Sequence, residues 1–136
     1  ASPRLAGQAF LLRGRIPDEV LFPLFSLADV YCTPSEMEGF GMSAAQAAAA
    51  GTALVSSDLV PFAAQYGGDA AWLVPAGDED GFATALETLL DDDDERQRRG
   101  HQLLEATRAL DWVEVTRAFL GHLRSSFRKD GPHERR

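Results

Sequence analysis

The amino-acid sequence predicts an α/β fold in which a parallel sheet of about four strands is flanked by helices. Short apolar runs alternate four times with longer stretches of helical periodicity. The runs are apolar at nearly every position, which is typical of strands that are buried on both faces. This pattern indicates a parallel sheet that is covered by helices on each side.

The first predicted strand is the run AFLLRG at residues 9–14, which is apolar and ends in glycine. A helix is predicted to begin at Pro17 and Asp18, and Pro23 inside it should bend or shorten that helix. Its apolar positions share one helical face: Val20, Leu21, Leu24, Phe25 and Ala28. The second strand is predicted at residues 29–34, the run DVYCTP.

An alanine-rich stretch at residues 42–50 is predicted to be helical because alanine has the highest helix propensity. Gly51 follows at the position where a left-handed C-terminal cap is expected. The third strand is predicted at residues 53–57, the run ALVSS. A short helix then begins near Pro61 and ends at a glycine pair, residues 67–68.

The fourth strand is predicted at residues 71–75, the run AWLVP. Beyond it, Asp78 or Asp80 is expected to cap a further helix. The chain is then expected to be helical from residue 91 to about residue 127, with a break near residues 110–112.

The domain prediction is a partial domain at residues 1–127, followed by a polar tail at residues 128–136 that is expected to fray. The chain opens almost directly on a buried strand, and its last third is helical with no strand to cover. Both features predict that this chain is one part of a larger protein.

Composition places the chain among globular proteins: 45% of its 136 residues are hydrophobic and 25% are charged. The net charge of −8 argues against nucleic acid or an anionic membrane surface as a partner bound by bulk electrostatics. A single cysteine, Cys32, excludes an intrachain disulfide and is predicted to be a buried, inert thiol.

No segment of the sequence is a signal peptide, and no apolar run approaches the roughly 20 residues of a membrane span. We therefore expect a cytoplasmic protein. Arginine greatly outnumbers lysine and alanine is abundant, which points to a bacterial source with a GC-rich genome.

The candidate site follows from the loops after the predicted strands, because ligands of open α/β sheets bind beyond the carboxyl ends of the strands. The loop PSEMEGFG at residues 34–41 is the most informative of them. Gly39 and Gly41 permit a tight turn, and we expect them to serve close approach to a ligand and not the fold itself. The helix amides that follow favour phosphate, whereas the Glu38 carboxylate favours sugar hydroxyls. A phosphate beside a polyol describes a nucleotide sugar.

The segment PSEMEGFGMSAAQAAAAGTALVSSD at residues 34–58 resembles the donor-binding segment of the retaining GT-B glycosyltransferases, glycosyl transferases group 1. Their usual pattern is PS-x-x-EGFG-x-x-x-x-EA-x-A-x-G-x-P-V-V-x-S. The resemblance extends from about residue 9 to about residue 123. It implies a Rossmann-like fold, of which this chain is the second half of the C-terminal, donor-binding domain. An N-terminal domain of the same longer chain would bind the acceptor.

The resemblance also implies the roles of the site residues. Glu38 would contact the hydroxyls of the donor hexose close to the reacting centre, as the catalytic residue. The donor is a UDP-, GDP- or ADP-hexose, and neither a cofactor nor a metal ion is expected. The candidate substrate-binding residues are Gly39, Phe40, Gly41, Met42, Ser43 and Gln46, with Arg15 and Ile16 in the loop after the first strand.

The sequence departs from the family pattern at three places. Gln46 stands where the family has the glutamate that holds the ribose, so donor binding should be weaker or altered but not abolished. The segment SDLVPF at residues 57–62 replaces a frequent Gly-Gly pair and glutamate. The Arg/Lys pair that neutralises the diphosphate in this family belongs to a segment before Ala1.

Other interpretations of the sequence remain open. The donor site could have decayed, which would leave a non-catalytic binding or assembly module, and a related epimerase or phosphorylase fits the motif less well.

The acidic run DDDDE at residues 91–95 is interpreted as a solvated helix cap and not as a metal site. The basic stretch ERQRRG at residues 95–100 is predicted to be a solvated helix face. The isolated chain is expected to be inactive and to self-associate through apolar surface that its missing part would cover.

Overall fold

The computed structural model describes residues 12–108 and 110–129 of the chain. This part of the chain contains six helices and three strands. In chain order they are α1 (Asp18–Leu27), β1 (Val30–Thr33), α2 (Met42–Ala49), β2 (Ala53–Ser57), α3 (Pro61–Tyr66), β3 (Trp72–Val74), α4 (Glu79–Asp91), α5 (Asp93–Arg108) and α6 (Trp112–Lys129).

The three described strands form a parallel sheet in the order β1-β2-β3, which confirms the predicted class. Val30 pairs with Ala53 at the start of the first ladder, and Ser57 pairs with Val74 at the end of the second. The predicted first strand at residues 9–14 lies largely outside the described residues. The part of it that the structure describes, residues 12–14, is not in a strand.

Helices cover both faces of this sheet, as predicted. Leu54 of β2 belongs to a buried cluster with Ala44 of α2 and Leu103 of α5. Its neighbour Val55 belongs to a second cluster with Leu89 of α4. Since successive side chains of a strand point to opposite faces, the two clusters are the two sides of the core.

Helix α1 begins at the predicted residue but buries only part of its predicted apolar face. Phe25 is buried and its ring meets that of Tyr31 edge to face at 5.6 Å. Val20 and Leu24 stay 48% and 41% exposed. The apolar spacing therefore predicted the helix correctly, although the described residues cover only one side of that face.

Both acidic helix caps follow the sequence interpretation. The Asp78 carboxylate accepts a hydrogen bond from the Gly81 amide at 2.9 Å and caps α4, which decides between the two candidate aspartates. Within the run at residues 91–95, Asp92 accepts from the Glu95 amide at 2.9 Å. The run is therefore a helix boundary with a capping carboxylate.

The interpretation of residues 95–100 as a solvated basic face is wrong for two of its arginines. The Arg99 guanidinium lies 4.9 Å from the centroid of the Trp72 ring and donates to the carbonyl of Asp69 at 2.8 Å. Arg96 donates to the carbonyl of Leu89 at 2.9 Å. Both side chains are only 16% exposed, because they connect α5 to α4 and to the start of β3.

Candidate functional site

The loop at residues 34–41 connects the carboxyl end of β1 to the first turn of α2, where a ligand of a parallel sheet is expected. Glu38 is exposed on this loop, and its Oε1 accepts a hydrogen bond from the Ser35 hydroxyl at 3.1 Å. The loops after β2 and β3 lie at the same edge, since the Ala76 amide donates to the Asp58 carboxylate at 3.1 Å. All three strand ends therefore contribute to one edge of the sheet.

Gly41 is the N-cap residue of α2; it has a left-handed backbone with φ of 91° and supplies no side-chain cap. The amides of Met42 and Ser43 in the first turn consequently carry the positive end of the helix dipole without a capping side chain. Such a terminus is suited to an anion.

The two glycines of the loop have different roles, which corrects the expectation that neither is needed by the fold. A Cβ on Gly41 would lie 2.5 Å from Cγ1 of Val60, and its positive φ disfavours any other residue. A Cβ on Gly39 would meet nothing within 4 Å. Gly41 is therefore required by the fold, and Gly39 alone fits the expected role in ligand approach.

Phe40 attaches the loop to α3. Its carbonyl accepts a hydrogen bond from the Phe62 amide at 2.8 Å, and its ring meets those of Phe62 and Tyr66 at centroid distances of 5.8 and 6.0 Å. The aromatic side chain of this candidate binding residue thus packs against α3 and stabilises the fold.

Gln46 lies one helical turn after Met42, so that both residues share a face of α2. Gln46 lines an open cavity of about 380 Å³ between α1 and α2. The other residues that line it are Phe22, Phe25, Ser26, Ala49 and Ala50. A neutral amide that lines a largely apolar cavity can both accept and donate a hydrogen bond.

Arg15 and Ile16 precede α1. Arg15 is exposed and lines a second open cavity of about 360 Å³, together with Pro17, Asp18 and Glu19. Ile16 is half-buried. The two residues are thus placed at the N-terminal end of α1. The other candidate residues from Glu38 to Ser43 lie in a different, continuous segment, and none of them lines this cavity.

A family model described as glycosyl transferases group 1 matches residues 4–105. The chain belongs to this family of glycosyltransferases. The phosphatidyl-myo-inositol mannosyltransferase of Mycolicibacterium smegmatis is 40% identical to it over 114 residues, which are 82% of this chain and 29% of that protein. The D-inositol 3-phosphate glycosyltransferase of Corynebacterium glutamicum is 35% identical over 99 residues, 71% of this chain and 23% of that protein.

Two solved structures resemble this chain in three dimensions. An α,α-trehalose-phosphate synthase (UDP-forming) from Burkholderia vietnamiensis superposes with a TM-score of 0.70 at 26% identity, over 82% of this chain and 26% of that one. A sucrose-phosphate synthase from Thermosynechococcus elongatus gives 0.69 at 28% identity, over 87% and 30%. The chain spans between 23% and 30% of the length of these four relatives.

A set of hydroxyl groups at the strand ends was not among the candidate site residues predicted from the sequence. Thr33 ends β1 and Ser57 ends β2, and both are buried. The Ser57 hydroxyl donates to the carbonyl of Ser35 at 2.5 Å and accepts from the Leu59 amide at 3.2 Å. The available signal was the presence of hydroxyl residues at the last positions of two otherwise apolar strands.

Among the described residues, the groups with clearly shifted pKa values lie outside this loop. Hydrogen bonds from Arg98 and Arg99 lower the pKa of Glu95 to about 2. Burial raises the pKa of the half-buried Cys32 thiol, in keeping with an inert cysteine.

The described residues contain no group of three or more His, Cys, Asp or Glu side chains that could hold a metal ion. Among them there is also no helix long and apolar enough to cross a membrane.

Proposed function

We propose that this chain is the donor-binding part of a retaining hexosyltransferase that uses a UDP-, GDP- or ADP-hexose. The acceptor would be bound by an N-terminal domain of the same longer chain. One observation carries the proposal: the exposed Glu38 carboxylate lies on the loop that leads into the N-terminus of α2. That terminus has a left-handed glycine, Gly41, and no side-chain cap.

The chemistry of a nucleotide sugar matches this arrangement. The amides from Gly39 to Met42, with Ser43, would hold the sugar and the diphosphate, since a helix N-terminus favours negative charge. Glu38 would accept hydrogen bonds from hexose hydroxyls, because an ionised carboxylate is a pure acceptor and those groups are donors. Phosphate and polyol would thus bind to adjoining parts of one loop.

Gln46 would contact the ribose from the next turn of α2, and its position on the same face as Met42 supports this role. Arg15 and Ile16 would bind the substrate from the loop before α1. The names of the relatives agree with glycosyl transfer: one is a mannosyltransferase, another is a glycosyltransferase, and one of the solved structures is a UDP-forming synthase.

Titration calorimetry of the full-length protein with UDP-glucose, GDP-mannose and ADP-glucose tests the proposal. One of the three should bind, and Glu38→Ala should weaken its binding. Glu36→Ala is the matched control, because Glu36 is an exposed acid of the same loop. Equal losses in the two variants would contradict the assigned role of Glu38. Since no metal ion is expected, EDTA should leave the affinity unchanged.

The alternative is a non-catalytic GT-B-like module whose donor site has decayed, and Gln46 in place of the family glutamate favours it. A full-length protein that binds none of the three nucleotide sugars would establish this alternative. In the donor-binding case, the isolated 136-residue chain should still transfer no sugar. Half of the cleft and the cations that neutralise the leaving diphosphate would be missing, and such electrostatic stabilisation is usually a large catalytic term.

A further inference from the structure

Three side chains at the carboxyl end of β1 form a continuous hydrogen-bonded chain that ends on the Glu38 carboxylate. Oγ1 of Thr33 lies 3.2 Å from Oγ of Ser35, and the Ser35 hydroxyl lies 3.1 Å from Oε1 of Glu38. Thr33 is buried, Ser35 is half-buried and Glu38 is exposed. The chain therefore runs outward from the core to the surface of the loop.

The direction of the hydrogen bonds follows from counting hydrogens. An ionised carboxylate can only accept, so Ser35 must donate its single hydroxyl hydrogen to Glu38. Ser35 then has only lone pairs to offer, and Thr33 must be the donor in the contact between the two hydroxyls. Each bond polarises the next, so the Thr33 hydrogen makes Ser35 a stronger donor to the carboxylate.

The backbone of Ser35 is fixed independently of its side chain. The hydroxyl of Ser57, which is fully buried at the end of β2, donates to the Ser35 carbonyl at 2.5 Å. Ser57 pairs in the sheet with Val74 and has no freedom to follow the loop. The position of Ser35 is consequently set by the ends of both strands.

We propose that Ser35 is a positioning residue that holds the Glu38 carboxylate in place for the donor hexose. This inference rests on the proposed function, because it assumes that Glu38 accepts hydrogen bonds from the sugar. Glu38 is a long, exposed side chain on a loop, and ordering such a side chain opposes binding through lost rotamer freedom. A hydrogen bond that exists before the donor arrives removes part of this cost, and it leaves the other carboxylate oxygen for the hexose hydroxyls.

The test separates the hexose from the nucleotide. In the full-length protein, affinities are measured by calorimetry for UDP-glucose, GDP-mannose and ADP-glucose, and for UDP, GDP and ADP alone. For the nucleotide sugar that binds, Ser35→Ala should reduce affinity about tenfold or more, the amount expected for one hydrogen bond to a charged group. The affinity for the matching nucleoside diphosphate should stay unchanged. Ser35→Thr keeps the hydroxyl and should restore affinity.

Two further variants separate positioning from simple loss of structure. In a Glu38→Ala background, Ser35→Ala should have no further effect, since the carboxylate that it positions is absent. Ser125→Ala is the matched control, because that exposed serine donates only to the carbonyl of His122 in its own helix. It should change neither affinity.

The results distinguish the positioning role of Ser35 from the proposed donor-binding function. Binding of a nucleotide sugar that is unaffected by Ser35→Ala would overturn the positioning role and leave the donor site intact. Equal losses of nucleotide-sugar and nucleoside-diphosphate affinity would also overturn it, because they would show damage to the whole loop. Failure of the parent protein to bind any of the three nucleotide sugars would overturn both.

Discussion

The amide of Phe62 donates to the carbonyl of Phe40 at 2.8 Å, and the two rings meet edge to face with centroids 5.8 Å apart. The middle of the EGFG segment is therefore attached to α3 through both backbone and side chain. Substitutions in this segment change the scaffold as well as the candidate site. Stability and ligand affinity consequently have to be measured separately for each variant.

Gly41→Ala should destabilise the domain by about 2–4 kcal/mol. Left-handed backbone costs a non-glycine residue roughly 1–2 kcal/mol, and the overlap of the new Cβ with Val60 adds a term of similar size. Gly39→Ala is the control, since its Cβ would meet nothing within 4 Å and its cost should stay within about 0.5 kcal/mol. Urea unfolding followed by circular dichroism measures both. Similar values for the two variants would show that Gly41 is not constrained as described.

If the proposed function is correct, Glu38→Ala should reduce turnover of the full-length protein by about a hundredfold or more, because it would remove the carboxylate that is proposed to lie beside the reacting centre. Gln46→Glu should instead tighten donor binding about fivefold, since hydrogen bonds to a charged group are roughly twice as strong as neutral ones. Steady-state kinetics, with kcat and KM determined separately, checks both effects. Turnover that falls equally in the two variants would contradict these roles.

Gly100→Ala should destabilise the packing of α5 on α2 by about 2 kcal/mol or more. Its Cβ would lie 2.1 Å from the backbone carbonyl oxygen of Gly51, which cannot move like the end of a side chain. Gly121→Ala in α6 has open space and should stabilise that helix by up to about 1 kcal/mol. Thermal unfolding of the two variants should therefore shift in opposite directions.

Glu95 should make α5 sensitive to acid. Hydrogen bonds from Arg98 and Arg99 lower its folded-state pKa from 4.5 to about 2. The stabilisation is present above the unfolded pKa of 4.5 and is lost as the pH falls towards 2. Glu95→Gln should therefore lower the urea midpoint at pH 7, and the difference from the parent should shrink as the pH falls from 4.5 to 2. A difference that is constant with pH would exclude this carboxylate as the cause.

The isolated 136-residue chain should self-associate. Leu27 on α1 is 79% exposed and Phe119 on α6 is 60% exposed, and further apolar residues on both helices share this exposure. Exposed apolar surface of this kind is seldom left uncovered. Sedimentation velocity across a range of concentrations should show dimers or larger species. A monomer at every concentration would contradict the prediction.

Elements with a strong local signal were predicted almost to the residue. Strand β2 was predicted at residues 53–57 and is observed at Ala53–Ser57, because every residue of the run is buried and the run is bounded by turns. Helix α2 was predicted at residues 42–50 and ends at Ala49, followed by Gly51 with φ of 80°. Alanine propensity and a C-terminal glycine are local properties, so the sequence displays them directly.

The errors arose where a partner comes from a distant segment. The role of Gly41 in the fold depends on Val60, which approaches it only because α3 packs against α2. Arg99 was interpreted as solvated because nothing near it in sequence reveals the Trp72 ring and the Asp69 carbonyl that it contacts. The hydroxyl chain from Thr33 to Glu38 likewise depends on a loop conformation that no periodicity encodes.

Close contacts at glycines hold both ends of α2. Gly41 at its start has no room for a Cβ beside Val60, and the carbonyl of Gly51 after its end lies against Gly100. One inserted residue would advance the helix by about 1.5 Å and rotate it by about 100°, so both contacts could not be kept together. The contacts at the two ends of α2 therefore fix its length at eight residues. Insertions and deletions within it should therefore destabilise the domain.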